Sequence, residues 1–210
     1  MHTSIQDTHF LLRRLHSLLG LVPIGGFLLF HLWENSQSRF GPEHYNEQVV
    51  GWLQSLNYLN FLELFFIALP LFLHAGYGLV IVKSGSTNIS AFPWAGNIRY
   101  TLQRLSGIAI LLFLLMHIGW TRLWGIWEPD IKADLFSHMQ LLLSNPIIFF
   151  LYFFGLLLSV FHLCNGLWSM AISWGLTTTP QAQRIWLYFC SLLSLLLFAL
   201  GLHGMLGFLL

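Results

Sequence analysis

The chain has 210 residues, 56% of them hydrophobic and only 8% charged, with a mean hydropathy of +0.70. A soluble domain carries roughly 25% charged residues, so this composition excludes an ordinary soluble protein. The formal net charge of +1 gives no footing for nucleic-acid binding.

Charge-free runs carry the argument further. Leu15–Trp33 and Leu64–Val82 each hold nineteen residues without Asp, Glu, Lys or Arg, Leu135–Gln183 holds forty-nine, and Ile185–Leu210 holds twenty-six. Such lengths predict an all-α integral membrane protein with several spanning helices. The first run is too long for a signal-peptide core and lacks a small-residue cleavage site, so it counts as a span.

Taken in order, segment I is about 12–33 and is entered by Arg13 and Arg14. The more polar stretch 39–54 reads as a short interfacial helix. Segment II, about 58–82, opens near Glu63 and closes at Lys83. After a polar loop comes segment III, about 98–124. A charged stretch and a second interfacial helix, 135–143, precede segment IV, about 145–175, which starts at Asn145-Pro146. Segment V is about 180–208. Five spans put the termini on opposite sides. With the N-terminus inside, six Lys/Arg residues (Arg13, Arg14, Lys83, Arg99, Arg104, Arg184) face the cytoplasm, and three (Arg39, Arg122, Lys132) face outward. That asymmetry favours a cytoplasmic N-terminus and an external C-terminus.

Each of the first four segments carries one deep histidine: His31, His74, His117 and His162. A polar imidazole in hydrocarbon is costly unless something binds it. At 1.5 Å per residue from the inner boundary, His31 lies about 26 Å deep and His117 about 20 Å, while His74 lies at about 14 Å. His162 is central to inner. The depths suggest two pairs, His31 with His117 and His74 with His162. Facing imidazoles in a helix bundle are what axial haem ligation needs, so two stacked b-type haems are expected, the same histidines being the iron ligands. Gly25, Gly26, Gly76, Gly78 and Gly166 lie near these histidines, where a flat macrocycle must approach a helix. Pro70 is expected to kink segment II.

A weak internal echo supports two similar hairpins: Arg-Leu then Gly and His in segments I and III, and His-x-x-x-Gly-Leu in II and IV. No CxxCH occurs, which excludes covalent c-type haem, and Cys164 and Cys190 read as packing residues. His16, near Arg14 and Ser17, is too shallow to be axial; all three are candidates for haem propionate contacts. Glu63 reads as the sole carboxylate close to a span, a candidate for quinone and proton exchange. His203 is a weaker quinone-pocket candidate, and His2, His9, His44 and His138 read as solvent or interface residues.

Several ordered motifs now combine: RRLHSLLG at 13–20, HAGYG at 74–78, LQRLSGI at 102–108, FHLCNGLWS at 161–169, then Trp174-Gly175 and Thr179-Pro180. Together they resemble the dihaem cytochrome b membrane anchor of succinate:menaquinone oxidoreductases and fumarate reductases, of the single-polypeptide, five-helix, Bacillus-like type. The resemblance covers essentially the whole chain. It implies that His31 and His117 hold the haem distal to the soluble subunits and His74 and His162 the proximal one. It also implies a bacterial inner membrane, with a flavoprotein carrying FAD and an iron–sulphur subunit on the cytoplasmic face. Electrons would pass from the latter through proximal and distal haem to menaquinone, with no dicarboxylate chemistry in this chain. A higher oligomer of the complex is compatible with it. Some dihaem fumarate reductases have a glutamate two residues before the fourth-span ligand; Val160 stands there, which leans toward a succinate oxidoreductase. Two other readings use the same histidines: the dihaem anchor of a hydrogenase or formate dehydrogenase, and a cofactor-free transporter or assembly protein.

Overall fold

The computed structural model describes residues 5–210, with side chains for 8–128, 130–131 and 133–210. His2 lies outside the described residues, as does the Lys132 side chain. Five helices are long and apolar enough to cross a membrane: α1 (Thr8–Phe40), α2 (Leu59–Ser84), α3 (Ala95–Trp127), α4 (Pro146–Ser173) and α5 (Pro180–Gly207). At 28 residues each, α4 and α5 are about 42 Å long, enough for hydrocarbon plus headgroups. The protein is a multi-pass membrane protein.

Local chemistry sets the helix ends. Asn145 caps α4 by accepting from the backbone N–H of Ile147 at 2.9 Å, and Thr179 caps α5 by accepting from Ala182 at 3.2 Å. In both, proline occupies the first helical position, where no N–H is needed. The expected interfacial helix Leu135–Leu143 is present and is capped by Asp134. Hydrogen bonds from Ser137 hold the Asp134 carboxyl below the usual carboxylate range. Asn46 donates to Asp134 at 2.7 Å and accepts from the Phe136 N–H at 3.1 Å, joining the 42–54 helical stretch to this helix.

Two prolines distort the helices that contain histidines. Pro23 lies within a π-helical turn, Gly20–Gly25, and Pro70 follows another, Glu63–Ala68. Each proline lacks an N–H and crowds the preceding turn, so the helix widens locally instead of breaking. α1 continues past Trp33, where the segment was expected to end, through Ser36 and a tight turn to Gly41, whose φ of 92° ends it.

α1 packs beside α2 and α4, and α3 beside the same two, so the first four helices form an antiparallel ring. α5 lies outside it, against α4 and the C-terminal half of α1. The close-packed core is therefore off-centre, with Val160 and Cys164 of α4, Cys190 and Leu197 of α5, and Leu32 of α1 buried together. Along α2 only Pro70 is buried and along α3 only Ser106. Apolar side chains such as Phe72, Leu112 and Leu115 face outward, as lipid-facing positions do.

The α1–α5 contact depends on Gly201, Gly204 and Gly207. A Cβ at Gly204 would lie 2.7 Å from the Asn35 backbone, and the buried Ser38 hydroxyl donates to the Gly204 carbonyl at 2.7 Å. Small residues at this spacing let helices approach in lipid. Gly204→Leu should force the pair apart and destabilise the protein by about 1–3 kcal/mol. Thermal unfolding of the purified protein should show a lowered midpoint; an unchanged one would contradict this contact.

Candidate functional site: two facing histidine pairs

The four deep histidines meet across the ring in two groups. Near the end that carries Arg13, Lys83 and Arg184 (the N-terminal end), His74 of α2 and His162 of α4 lie with ring centroids 6.2 Å apart. Toward the far end, His31 of α1 and His117 of α3 lie 5.8 Å apart. All four are half-buried.

At the N-terminal end, His16 stacks flat on His74, with centroids 4.0 Å apart and 6° between planes. Each ring's Nδ1 faces the other residue's carbonyl, at 3.0 and 2.9 Å. His16 thus sits level with His74 rather than a turn nearer the surface. The boundary estimate from Arg14 was too shallow, because the Arg14 guanidinium lies over Phe10 and Trp174 instead of marking the helix end. Ser17 accepts from the Trp174 indole at 3.1 Å, so Arg14, Ser17 and Trp174 form one patch beside His16.

Across from them, His162 Nδ1 lies 3.0 Å from the Ser106 hydroxyl, and Gln103 donates to the His162 carbonyl at 3.0 Å. Asn165 donates to Gln103 at 2.7 Å and accepts from Arg99 at 3.3 Å. A Cβ on Gly107 would approach His162 Cε1 to 3.1 Å, and one on Gly20 would approach His74 Nδ1 to 2.7 Å. Glycine at those two positions is what lets the rings lie against neighbouring helices. Nearby, Arg104 carries a buried Nη1 with no hydrogen-bond partner.

At the far end, His117 Nδ1 is 3.3 Å from the Tyr152 hydroxyl, Phe113 stacks on His117 and Phe27 on His31. Asn35 donates to the His31 carbonyl at 2.7 Å and to its Nε2 at 3.2 Å, and accepts from the Tyr45 hydroxyl at 3.2 Å. Glu63 makes a two-pronged ion pair with Arg122, at 2.7 Å for the shortest contact. Glu63 is not the sole carboxylate close to a span: Glu34 lies within α1 and is only 5% exposed, with one oxygen lacking any partner. It follows Trp33 directly, where segment I was expected to end, and the extension of α1 carries it inside. Val160 is 1% exposed, in the α4 core. His138 binds the Trp120 carbonyl at 2.8 Å, His9 the Tyr77 hydroxyl at 3.2 Å, and His203 is exposed.

The geometry suits a planar group held between paired imidazoles. A metal–imidazole bond of about 2 Å, with about 1 Å more from nitrogen to ring centre, sets two axial rings about 6 Å apart. Both pairs meet that spacing. The Arg104 guanidinium, stacked on the Tyr100 ring with its buried Nη1 unpartnered, fits a carboxylate carried by such a group. Ser106, Arg104, Tyr152 and Glu34 were not singled out from sequence. The first two lie in the LQRLSG motif, which was the available signal.

Comparison with known proteins agrees with this architecture. The family model described as succinate dehydrogenase/fumarate reductase transmembrane subunit matches residues 86–201. The succinate dehydrogenase cytochrome b558 subunit of Bacillus subtilis (strain 168) is 36% identical over 202 residues, covering 96% of this chain and 98% of that protein. No solved structure matches the chain. The chain belongs to the succinate dehydrogenase/fumarate reductase transmembrane subunit family, as a cytochrome b subunit.

Proposed function

We propose that this chain holds two non-covalent haem b groups, one between His74 and His162 and one between His31 and His117, within a succinate:menaquinone oxidoreductase. The observation that carries this reading is the meeting of four deep histidines in two pairs at opposite depths. Bound there, the haems supply one-electron carriers between an iron–sulphur subunit and menaquinone, with FAD confined to a flavoprotein partner. The N-terminus lies in the cytoplasm, so the pair containing His74 faces the soluble subunits and the other faces the outer side. The similarity to a succinate dehydrogenase subunit and the valine at position 160 favour the succinate oxidoreductase type.

The protein's own contribution is to fix which nitrogen of each ring is free. A carbonyl can only accept, so the Nδ1 atoms of His16 and His74 carry their protons and each Nε2 keeps its lone pair. The single Ser106 proton is given to the Gln103 carbonyl at 3.1 Å. Toward His162 the hydroxyl therefore accepts, and His162 is held in the same tautomer. Such partners orient a ligating ring and raise its basicity. His31 frees its Nε2 by releasing the 3.2 Å bond from Asn35, which keeps its shorter bond to the His31 carbonyl.

Around the rings, Arg104 and Arg14 are the donors proposed for propionates at the N-terminal end; His16 and Ser17 lie beside them, Ser17 giving its own proton to the Arg14 carbonyl at 2.9 Å. At the far end Glu63, fixed by Arg122, is the proton-exchanging group proposed for quinone; Glu63→Gln with unchanged quinone-linked turnover would contradict that role.

Alanine at any of the four histidines should halve the haem content read from the reduced b-type spectrum. His31→Ala and His117→Ala should lose the same spectral component, and His74→Ala and His162→Ala the other. Full haem retention, or crossed losses, would contradict the pairing. Ser106→Ala should raise the midpoint potential of one component by about 40 mV, the one-electron equivalent of a hydrogen bond worth roughly 1 kcal/mol. Ser106→Thr should restore it. Equal shifts in both components would contradict a role confined to His162.

A further inference from the structure

α3 and α5 flank α4, and at the N-terminal end a groove of about 190 Å³ remains between them. Arg99 of α3, Asn165 of α4, and Ser191 and Ser194 of α5 line it, with Cys164 and Cys190 buried at its floor. We propose that this groove binds the phosphate of an anionic phospholipid, held by Arg99.

The argument begins with charge. The Arg99 guanidinium is positioned by two uncharged groups: the Asn165 side chain, which accepts from it at 3.3 Å, and the Trp168 ring, 5.4 Å from it. Among the described residues the one carboxylate–guanidinium pair is Arg122–Glu63, at the far end. Of eight carboxylates in the sequence only Asp7 belongs to the N-terminal end. Asp7 directly precedes α1, which lies diagonally across the ring from α3. The six cations of this end thus far outnumber its acids, and Arg99 has an anion to find elsewhere.

Depth identifies the anion. Arg99 is four residues into α3, about 6 Å from the helix start, and Asn165, toward which it reaches, is about 12 Å from the end of α4. A helix about 42 Å long exceeds a 30 Å hydrocarbon layer by about 6 Å at each end. The Arg99 backbone therefore lies at the hydrocarbon boundary, with the guanidinium turned a few Å inward along the groove toward Asn165. A charge at that boundary needs a counter-ion, and basic pockets between spanning helices suit anionic headgroups. Arginine's planar fork can grip two phosphate oxygens at once. Haem propionates are not its partners, because the groove opens on the α5 side, outside the four-helix ring where the histidines pair.

The test uses the purified complex in neutral detergent, titrated with phosphatidylglycerol or phosphatidylcholine and followed by native mass spectrometry. Wild type should retain one phosphatidylglycerol per chain in preference to phosphatidylcholine. Arg99→Gln should weaken that binding about five- to tenfold. Arg99→Lys should largely keep it, and Arg184→Gln, an arginine of the same end, should leave it unchanged. An unchanged thermal unfolding midpoint in Arg99→Gln keeps the comparison free of misfolding, with the lysine variant as the second check. Equal retention in Arg99→Gln, or equal dependence on Arg184, overturns the proposal. So does displacement by millimolar inorganic phosphate, which would mark a generic anion site. Release of the soluble subunits from Arg99→Gln with lipid binding intact would assign the arginine to a partner carboxylate instead, and would also overturn it.

Discussion

An imidazole nitrogen in a bilayer has nowhere to put its lone pair or its proton unless the protein provides for both, and the structure is built around that constraint. Each of the four deep histidines has one nitrogen or its carbonyl engaged by a neighbouring helix or turn: His74 by His16, His162 by Ser106 and Gln103, His117 by Tyr152, and His31 by Asn35. The rings themselves meet in pairs, His31 with His117 and His74 with His162. The close-packed core lies to one side, between α4, α5 and the end of α1. α2 and α3 have almost no buried core of their own, so the centre of the ring is shaped by histidines and glycines rather than by interlocked aliphatic side chains.

The two ends differ chemically. At the N-terminal end the supporting groups are carbonyls, a buried serine and a Gln–Asn–Arg relay, with cations in excess. Beside the far pair lie phenols and an amide, and that end carries seven of the eight carboxylates, one paired with Arg122 and one buried in α1. A gradient of this kind suits a path whose charge is compensated at one end and whose protons are exchanged at the other. The exposed Glu63–Arg122 pair contributes little to stability, since ion pairs open to solvent are worth about 1 kcal/mol or less. Its value lies in fixing where the carboxylate sits.

Much of this was legible in the sequence because bilayers simplify the problem. Charge-free length gives spans, and residue counts along straight helices give depth, so His31 and His117 could be matched before any contact was known. The resemblance carried by RRLHSLLG, LQRLSGI and FHLCNGLWS pointed to the same family that the comparisons show. Glu34 was missed because charge marks a span's end only when it reaches water, and here α1 runs on past it. His16 was placed too shallow for the converse reason: Arg14 folds back over aromatic rings. Ser106 and Arg104 could not be recognised as supports for the site, since their roles depend on which face of α3 meets α2 and α4. That is a matter of helix rotation, which residue spacing alone does not determine.

The central claim is that one chain holds two haems, each between two histidines. The direct measurement is haem content per chain of the purified wild-type complex, by alkaline pyridine haemochrome, joined to an electron paramagnetic resonance spectrum of the oxidised form. The account predicts two haems per chain and two low-spin signals of bis-histidine type. A ratio of one, or a high-spin signal from an iron with an open position, would contradict it.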